Sequence, residues 1–187
     1  MVQGSIYEDM RRQSAQTIAA MDVDGIAIGG VSVGESKEEM RRVLEWVIPW
    51  VPDAKPRHLL GVGEIDDIFV LVEHGIDTFD CVQPTRLARM GKLYVPLFSD
   101  SGFTKNEYMI DITKEMYAQD TRPIYESCTC YTCAHFSRAY IHHLFRVREL
   151  LSYRLASIHN IHFITKLVSD IRAALGNGTF LEMKQKW

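Results

Sequence analysis

Three short apolar runs separated by two helical segments constrain this chain more than any other feature. Asp24–Ile28 ends in Gly29-Gly30, Arg57–Leu60 ends in Gly61-Val62-Gly63, and Thr78–Val82 encloses Asp80. Runs this short and this continuously apolar fit strands buried on both faces. Between them, Ser36–Val47 carries Met40, Val43, Leu44 and Val47 on one helical face, with Ser36 placed to cap it and Glu38 and Glu39 in its first turn. Glu64–His74 is a second helix, stopped by Gly75. Strand, glycine turn, helix, strand is the βαβ rhythm of a parallel sheet. Upstream, Glu8–Met21 reads as a helix with Ile18 and Met21 on one face, and Met1–Gln3 as the end of a further strand.

The second half reads differently. Pro84–Arg122 has mixed polarity and no clean period, so it is expected to be loop with short strands near Lys92–Val95 and Tyr108–Ile110. Ala134–Phe145 and His159–Leu175 are expected helices, the latter stopping at Gly176, and Arg148–Ser157 is also compatible with helix.

Cys128, Cys130 and Cys133 place three thiols within six residues, and His159 follows 26 residues later. Together they make a Cys3His set, which suits Zn²⁺ with N and S ligands at about 2.0–2.3 Å. Four protein ligands leave no open coordination position, so the site is structural. His135 is a rival fourth ligand, but it lies only two residues past Cys133, a short reach for a closed tetrahedron. Clustered thiols on a chain with no secretory leader imply a reducing, cytoplasmic setting. The longest apolar run, Val43–Val51, is interrupted by Glu45 and Pro49. It falls short of the roughly 20 residues a membrane helix needs. A net charge of −3 gives no global attraction to nucleic acid, so phosphate binding requires a local basic patch.

Functional groups in parallel α/β sheets collect at the carboxyl ends of the strands. Gly29–Ser36, Gly61–Asp67 and Asp80–Arg86 lie there. Gly29 and Gly30 either let a flat ligand approach the main chain or form a tight turn. Asp80, in a strand that reads as buried, must be paired, hydrogen-bonded or functional. Cys81 reads as a small core residue rather than a nucleophile, and Asp77 as a turn residue. Arg86 and Arg89 form one basic group. Arg138, Arg146, Arg148 and Arg154 with His142 and His143 form another. Either group could hold phosphates or be a solvated helix face.

Several segments, in order along nearly the whole chain, carry a resemblance. They are Gln3-Gly4-Ser5, Gly29 to Glu35, Gly61-Val62-Gly63, Phe79 to Arg86, and the Cys128, Cys130, Cys133 and His159 set. The chain resembles the queuine tRNA-ribosyltransferase (tRNA-guanine transglycosylase) family. The resemblance implies an α/β fold, the C-terminal half of a (β/α)8 barrel with a zinc-binding subdomain. It implies barrel units over residues 1–90, a connecting and zinc-binding part over 91–159, and a final helix and tail over 160–187. It also implies exchange of guanine for a 7-deazaguanine at the wobble position of GUN-anticodon tRNAs. Asp80 would be the nucleophile, forming a covalent ribosyl intermediate. Gln3 and Gly30 would bond the base, with Gly29 shaping the turn. Gly61, Val62, Gly63, Glu64, Ile65, Asp66 and Asp67, and Thr85, Arg86, Leu87, Ala88 and Arg89, match RNA-contacting segments. Zn²⁺ would brace a subdomain that meets tRNA and a second subunit, with a homodimer expected. The Gly29-Gly30-Val31-Ser32-Val33 form favours preQ1 (7-aminomethyl-7-deazaguanine) over queuine.

The chain departs from the family in length. A whole barrel needs eight βα units and about 250 residues, whereas three strands and the end of a fourth are legible. The family's second catalytic Asp, the proton acceptor, and its base-recognising Asp have no match here. The chain is therefore expected to start midway round the barrel and to be inactive and poorly soluble unless another polypeptide supplies the missing half. The competing expectation is a non-catalytic, zinc-braced RNA-binding or subunit-interaction module derived from the same family. An unrelated zinc-binding α/β hydrolase has no open metal site or Ser-His-Asp order to recommend it.

Overall fold

The expected βαβ rhythm forms. In the computed structural model, β1 (Ile26–Ile28), β2 (Arg57–Leu59) and β3 (Thr78–Phe79) make a parallel sheet in the order β1-β2-β3. Residues 1–31, 36–96 and 108–187 are described; Ser32–Glu35 of the glycine-rich segment lies outside them. The chain divides into two compact units, Met1–Val82 and Gln83–Trp187.

In the first unit, Val2 forms a parallel bridge to Ile28 on the free side of β1. Its N–H donates to Ala27 O at 2.7 Å, and its carbonyl accepts from Gly29 N–H at 3.0 Å. The end of a fourth strand at Met1–Gln3 is thus present, and four strand positions run in sequence order. Three helices accompany the sheet: α1 (Glu8–Ala19), α2 (Lys37–Val47) and α3 (Ile65–Glu73). Ser36 caps α2 as the sequence requires. Its hydroxyl accepts from Glu39 N–H while the Glu39 carboxylate accepts from Ser36 N–H, a reciprocal capping box. Gly75 stops α3 with a left-handed φ of +77°, a conformation a side chain disfavours. Met40, Val43, Leu44 and Val47 are buried with Val2, Ala15, Ile26, Ile28, Leu59 and Leu71 in one core.

The second unit is mostly helical. It contains α4 (Gln83–Arg89), an antiparallel pair β4 (Lys92–Tyr94) and β5 (Met109–Asp111), α5 (Tyr131–His135), α6 (Arg138–Arg146), α7 (Leu150–Asn177) and α8 (Phe180–Lys186). Three expectations change here. The loop expected from Pro84 opens with helix α4, where Pro84 and Ala88 are buried. The helix expected over Ala134–Phe145 is two helices, because the Ser137 hydroxyl accepts from Tyr140 N–H and starts a new one. The two expected C-terminal helical segments are one helix of 28 residues. It passes through Gly176 and ends at Gly178, whose φ of +78° lets Thr179 N–H reach back to Ala174 O at 2.8 Å. Among the described residues, no helix is long and apolar enough to cross a membrane.

Candidate active site and metal centre

Gly29 follows β1, Gly61 follows β2 and Asp80 follows β3, so all three lie at the carboxyl edge of one parallel sheet. Adjacent strands stand about 4.8 Å apart, which puts the β1 and β3 ends about 10 Å apart, the reach of a nucleoside. Asp80 does not point into packed hydrocarbon: its side chain is 60% exposed. Its Oδ1 accepts from Gly61 N–H at 3.3 Å and lies 3.2 Å from His58 Nε2. His58 Nδ1 lies 2.8 Å from Thr78 Oγ1. Cys81 packs as a small residue against the glycine loop, since a Cβ on Gly63 would meet the Cys81 Cβ at 2.6 Å.

The Gly29-Gly30 turn sits under Gln3. A Cβ on Gly29 would come within 2.5 Å of Met1 Sδ and 3.0 Å of Gln3 Nε2; one on Gly30 would come within 2.7 Å of Gln3 Oε1. These are ends of flexible side chains, so added carbons would displace the Gln3 amide rather than break the sheet. Gly30 also has a φ of +63°. The turn is held from below by Arg11, which is fully buried. Its Nη1 donates to Gly29 O at 2.6 Å, its Nη2 to Gly30 O at 2.5 Å, and its Nε to Ser5 O at 2.7 Å. Sequence reasoning missed Arg11. The signal was there: Arg11, Ala15 and Ile18 fall on one helical stripe, so a charge at the first position implied an internal partner. His58 was missed as well, being masked by the apolar run around it.

The segment Gly61–Asp67 is mixed. Gly61, Glu64 and Asp66 are exposed, whereas Val62, Gly63, Ile65 and Asp67 are buried. Lys37 pairs with Glu64 at 2.7 Å and Asp67 at 3.1 Å. Burial pushes the Asp67 carboxyl above its ordinary range against the pull of Lys37. In the second unit, Arg86 and Arg89 are exposed on α4, Thr85 and Leu87 are half-buried, and Ala88 is buried. The longer basic run is not one surface. Arg138 is buried, donating to Asp120 at 3.0 Å and Ile124 O at 2.8 Å, and His142 is buried with Nδ1 2.8 Å from Ile112 O.

Also in the second unit, Cys128, Cys130 and Cys133 converge on His159. Their sulfurs lie 3.7, 3.6 and 3.3 Å from His159 Nδ1, and all four ligand atoms lie within 4.8 Å of one another. A zinc tetrahedron with the usual bond lengths has S···N edges of about 3.6 Å. The fit is therefore close. His159 is fully buried, and its Nε2–H donates to Tyr94 O at 2.7 Å, which leaves the Nδ1 lone pair facing the sulfurs. Its neighbour Asn160 fastens the same region: Oδ1 accepts from Tyr94 N–H, and Nδ2 donates to Pro84 O and Lys92 O, each at 3.0 Å. Cys130 caps α5, accepting from Cys133 N–H at 3.3 Å. Hydrogen bonds from Cys128 and Cys133 hold the Cys130 thiol far below its ordinary range, while Cys128 and Cys130 push the Cys133 thiol up. A dication among these sulfurs would let all three ligate as thiolates. His159, not His135, completes the set. The chain's cofactor is zinc, held by Cys128, Cys130, Cys133 and His159.

A parallel sheet with an exposed carboxylate at its carboxyl edge, in a chain that also carries a closed Cys3His zinc centre, defines a zinc-braced α/β protein. The family model for queuine tRNA-ribosyltransferase matches residues 1–187. Queuine tRNA-ribosyltransferases of Symbiobacterium thermophilum and Fusobacterium nucleatum are 48% and 47% identical to it, over 99% and 100% of this chain. The alignments cover 44% and 48% of those relatives. The corresponding protein of Nitrosospira multiformis is 46% identical over 99% of this chain and 48% of its own length. The chain belongs to the queuine tRNA-ribosyltransferase family, and it spans about half the length of the curated relatives it matches.

Proposed function

We propose that this chain is the C-terminal half of a tRNA-guanine transglycosylase and supplies its nucleophile, Asp80. The observation that carries the reading is an exposed carboxylate at the carboxyl end of β3, fixed through one oxygen, on the same sheet edge as the Gln3-covered Gly29-Gly30 turn. Asp80 attacks the anomeric carbon of the wobble ribose, and guanine departs with the glycosidic electron pair and takes up a proton. The incoming 7-deazaguanine, with preQ1 favoured, gives up its ring N9 proton and displaces the carboxylate. Two displacements retain configuration. Gln3 and the Gly30 main chain bond the base edge.

The four strand positions in consecutive order support a partial (β/α)8 barrel, since a doubly wound sheet reverses its order partway. On this reading residues 1–90 belong to the barrel. Residues 91–159 connect and bind zinc, and 160–187 close the chain, α7 being shared by the last two. RNA contact is assigned to exposed Gly61, Glu64 and Asp66 and to exposed Arg86 and Arg89, with the buried members of those segments shaping the backbone. The tRNA would carry a GUN anticodon, the working enzyme would be a homodimer, and reduced thiols fit a cytoplasmic setting. On the family resemblance, the proton acceptor would be supplied by a segment outside residues 1–187.

The test is covalent trapping. Incubated with tRNA and 9-deazaguanine, together with whatever segment completes the barrel, the chain should form an RNA adduct resistant to denaturation. Asp80→Ala should abolish the adduct while zinc content stays at about one ion per chain. An adduct that persists in Asp80→Ala would refute the assignment. The non-catalytic alternative gains if tRNA binds but no adduct forms under any complementation.

A further inference from the structure

The structure assigns a role to His58: we propose that it is the positioning residue that turns Asp80 so that Oδ2 is the attacking oxygen. This inference rests on Asp80 being the nucleophile. His58 and Thr78 are direct cross-strand partners on β2 and β3, so their side chains share a face, and Asp80 lies two residues beyond Thr78 on that face. The imidazole spans both. Nδ1 lies 2.8 Å from Thr78 Oγ1, and Nε2 lies 3.2 Å from Asp80 Oδ1.

The partners set the tautomer. The Asp80 carboxylate can only accept, which places a proton on Nε2, and in the neutral ring Nδ1 then accepts from the Thr78 hydroxyl. Gly61 N–H is the second donor, at 3.3 Å, and it converges on the same oxygen. Both hydrogen bonds of Asp80 therefore terminate on Oδ1, and among the described residues Oδ2 has no protein partner. A carboxylate held this way cannot rotate freely, and its unencumbered oxygen is the one left to form the C1′–O bond. Oδ1 then becomes the ester carbonyl. When the incoming base displaces the carboxylate, the returning electron pair spreads over both oxygens. His58 Nε2–H and Gly61 N–H then stabilise the charge without rearrangement.

The experiment compares His58→Phe, His58→Gln and Thr78→Val in the assembly that carries out guanine exchange, with labelled guanine and tRNA. A hydrogen bond to a charged group that is only partly shielded sets the expected loss at about tenfold in kcat for His58→Phe, with KM for tRNA within about twofold. His58→Gln, whose amide can donate to the same oxygen, should recover most of the loss. Thr78→Val keeps the ring but frees its tautomer and should fall between. If His58→Phe keeps kcat within twofold or raises KM alone, or if His58→Gln is as slow as His58→Phe, the role is refuted while Asp80 stands. If the unmutated assembly exchanges guanine without an adduct that Asp80→Ala removes, the nucleophile itself is wrong and the assignment of Oδ2 falls with it.

Discussion

Replacing Arg11 with Met should loosen the Gly29-Gly30 turn, proposed above to bind the base, and destabilise the first unit. The substitution keeps most of the side-chain volume and removes three donors, to Ser5 O, Gly29 O and Gly30 O. Hydrogen bonds from a charged donor contribute about 1.5–3 kcal/mol each. Gly29 O is buried and would lose its partner outright; Ser5 and Gly30 lie closer to solvent, where water replaces part of the loss. Removing a buried guanidinium also recovers some desolvation free energy. The net expectation is about 3 kcal/mol. For a chain of this size that is a fall of roughly 6–12 °C in Tm. Denaturant titration and thermal melting measure it directly. Arg11→Lys separates charge from geometry, because an ammonium cannot hold the two glycine carbonyls through a planar fork. It should recover less than half of the stability. A second readout follows from the turn: KM for guanine should rise while adduct formation at saturating base changes little. If Arg11→Met melts within 1 °C of the parent and binds guanine equally well, the fork does not hold the turn.

Two further outcomes concern the second unit. Metal analysis should find about one zinc per chain, and Cys130→Ser should reduce it. The same change should lower the unfolding midpoint by about 10 °C, because a buried thiol cluster loses the ion that neutralises it; an unchanged midpoint would mean that zinc does not brace the unit. Asp120 accepts from Arg122 and from buried Arg138, and Arg122 first among them holds its carboxyl well below the usual range. A depressed folded pKa contributes stability that is complete above the unfolded value of about 3.9 and is lost as pH falls through the folded value. Asp120→Asn should therefore cost about 2–4 kcal/mol at pH 7, and the gap to the parent should narrow only below about pH 4. A gap that stays constant down to pH 2 would disprove the linkage.

The sequence alone determined what is coded within a few residues. The Ser36–Glu39 capping box, the stop at Gly75, the strand cores and the thiol spacing are local, and each appears where its chemistry requires. The family match reached the zinc ligands on the same basis. Where local signals compete, the sequence misled. Gly176 and Gly178 are both plausible stops, and only Gly178 takes the left-handed φ that lets Thr179 N–H reach back to Ala174 O. Mixed polarity without a clean period from Pro84 onward suggested a loop, yet α4 forms there with Pro84 and Ala88 buried. Tertiary structure alone decided the long-range pairings. His58 reaches Asp80 across 22 positions, Arg11 reaches Gly29 across 18, and His159 reaches Tyr94 across 65. Such contacts depend on which helix face turns inward, as for Arg11 and His159, and on strand register, where a one-residue slip between β2 and β3 would send His58 to the opposite face.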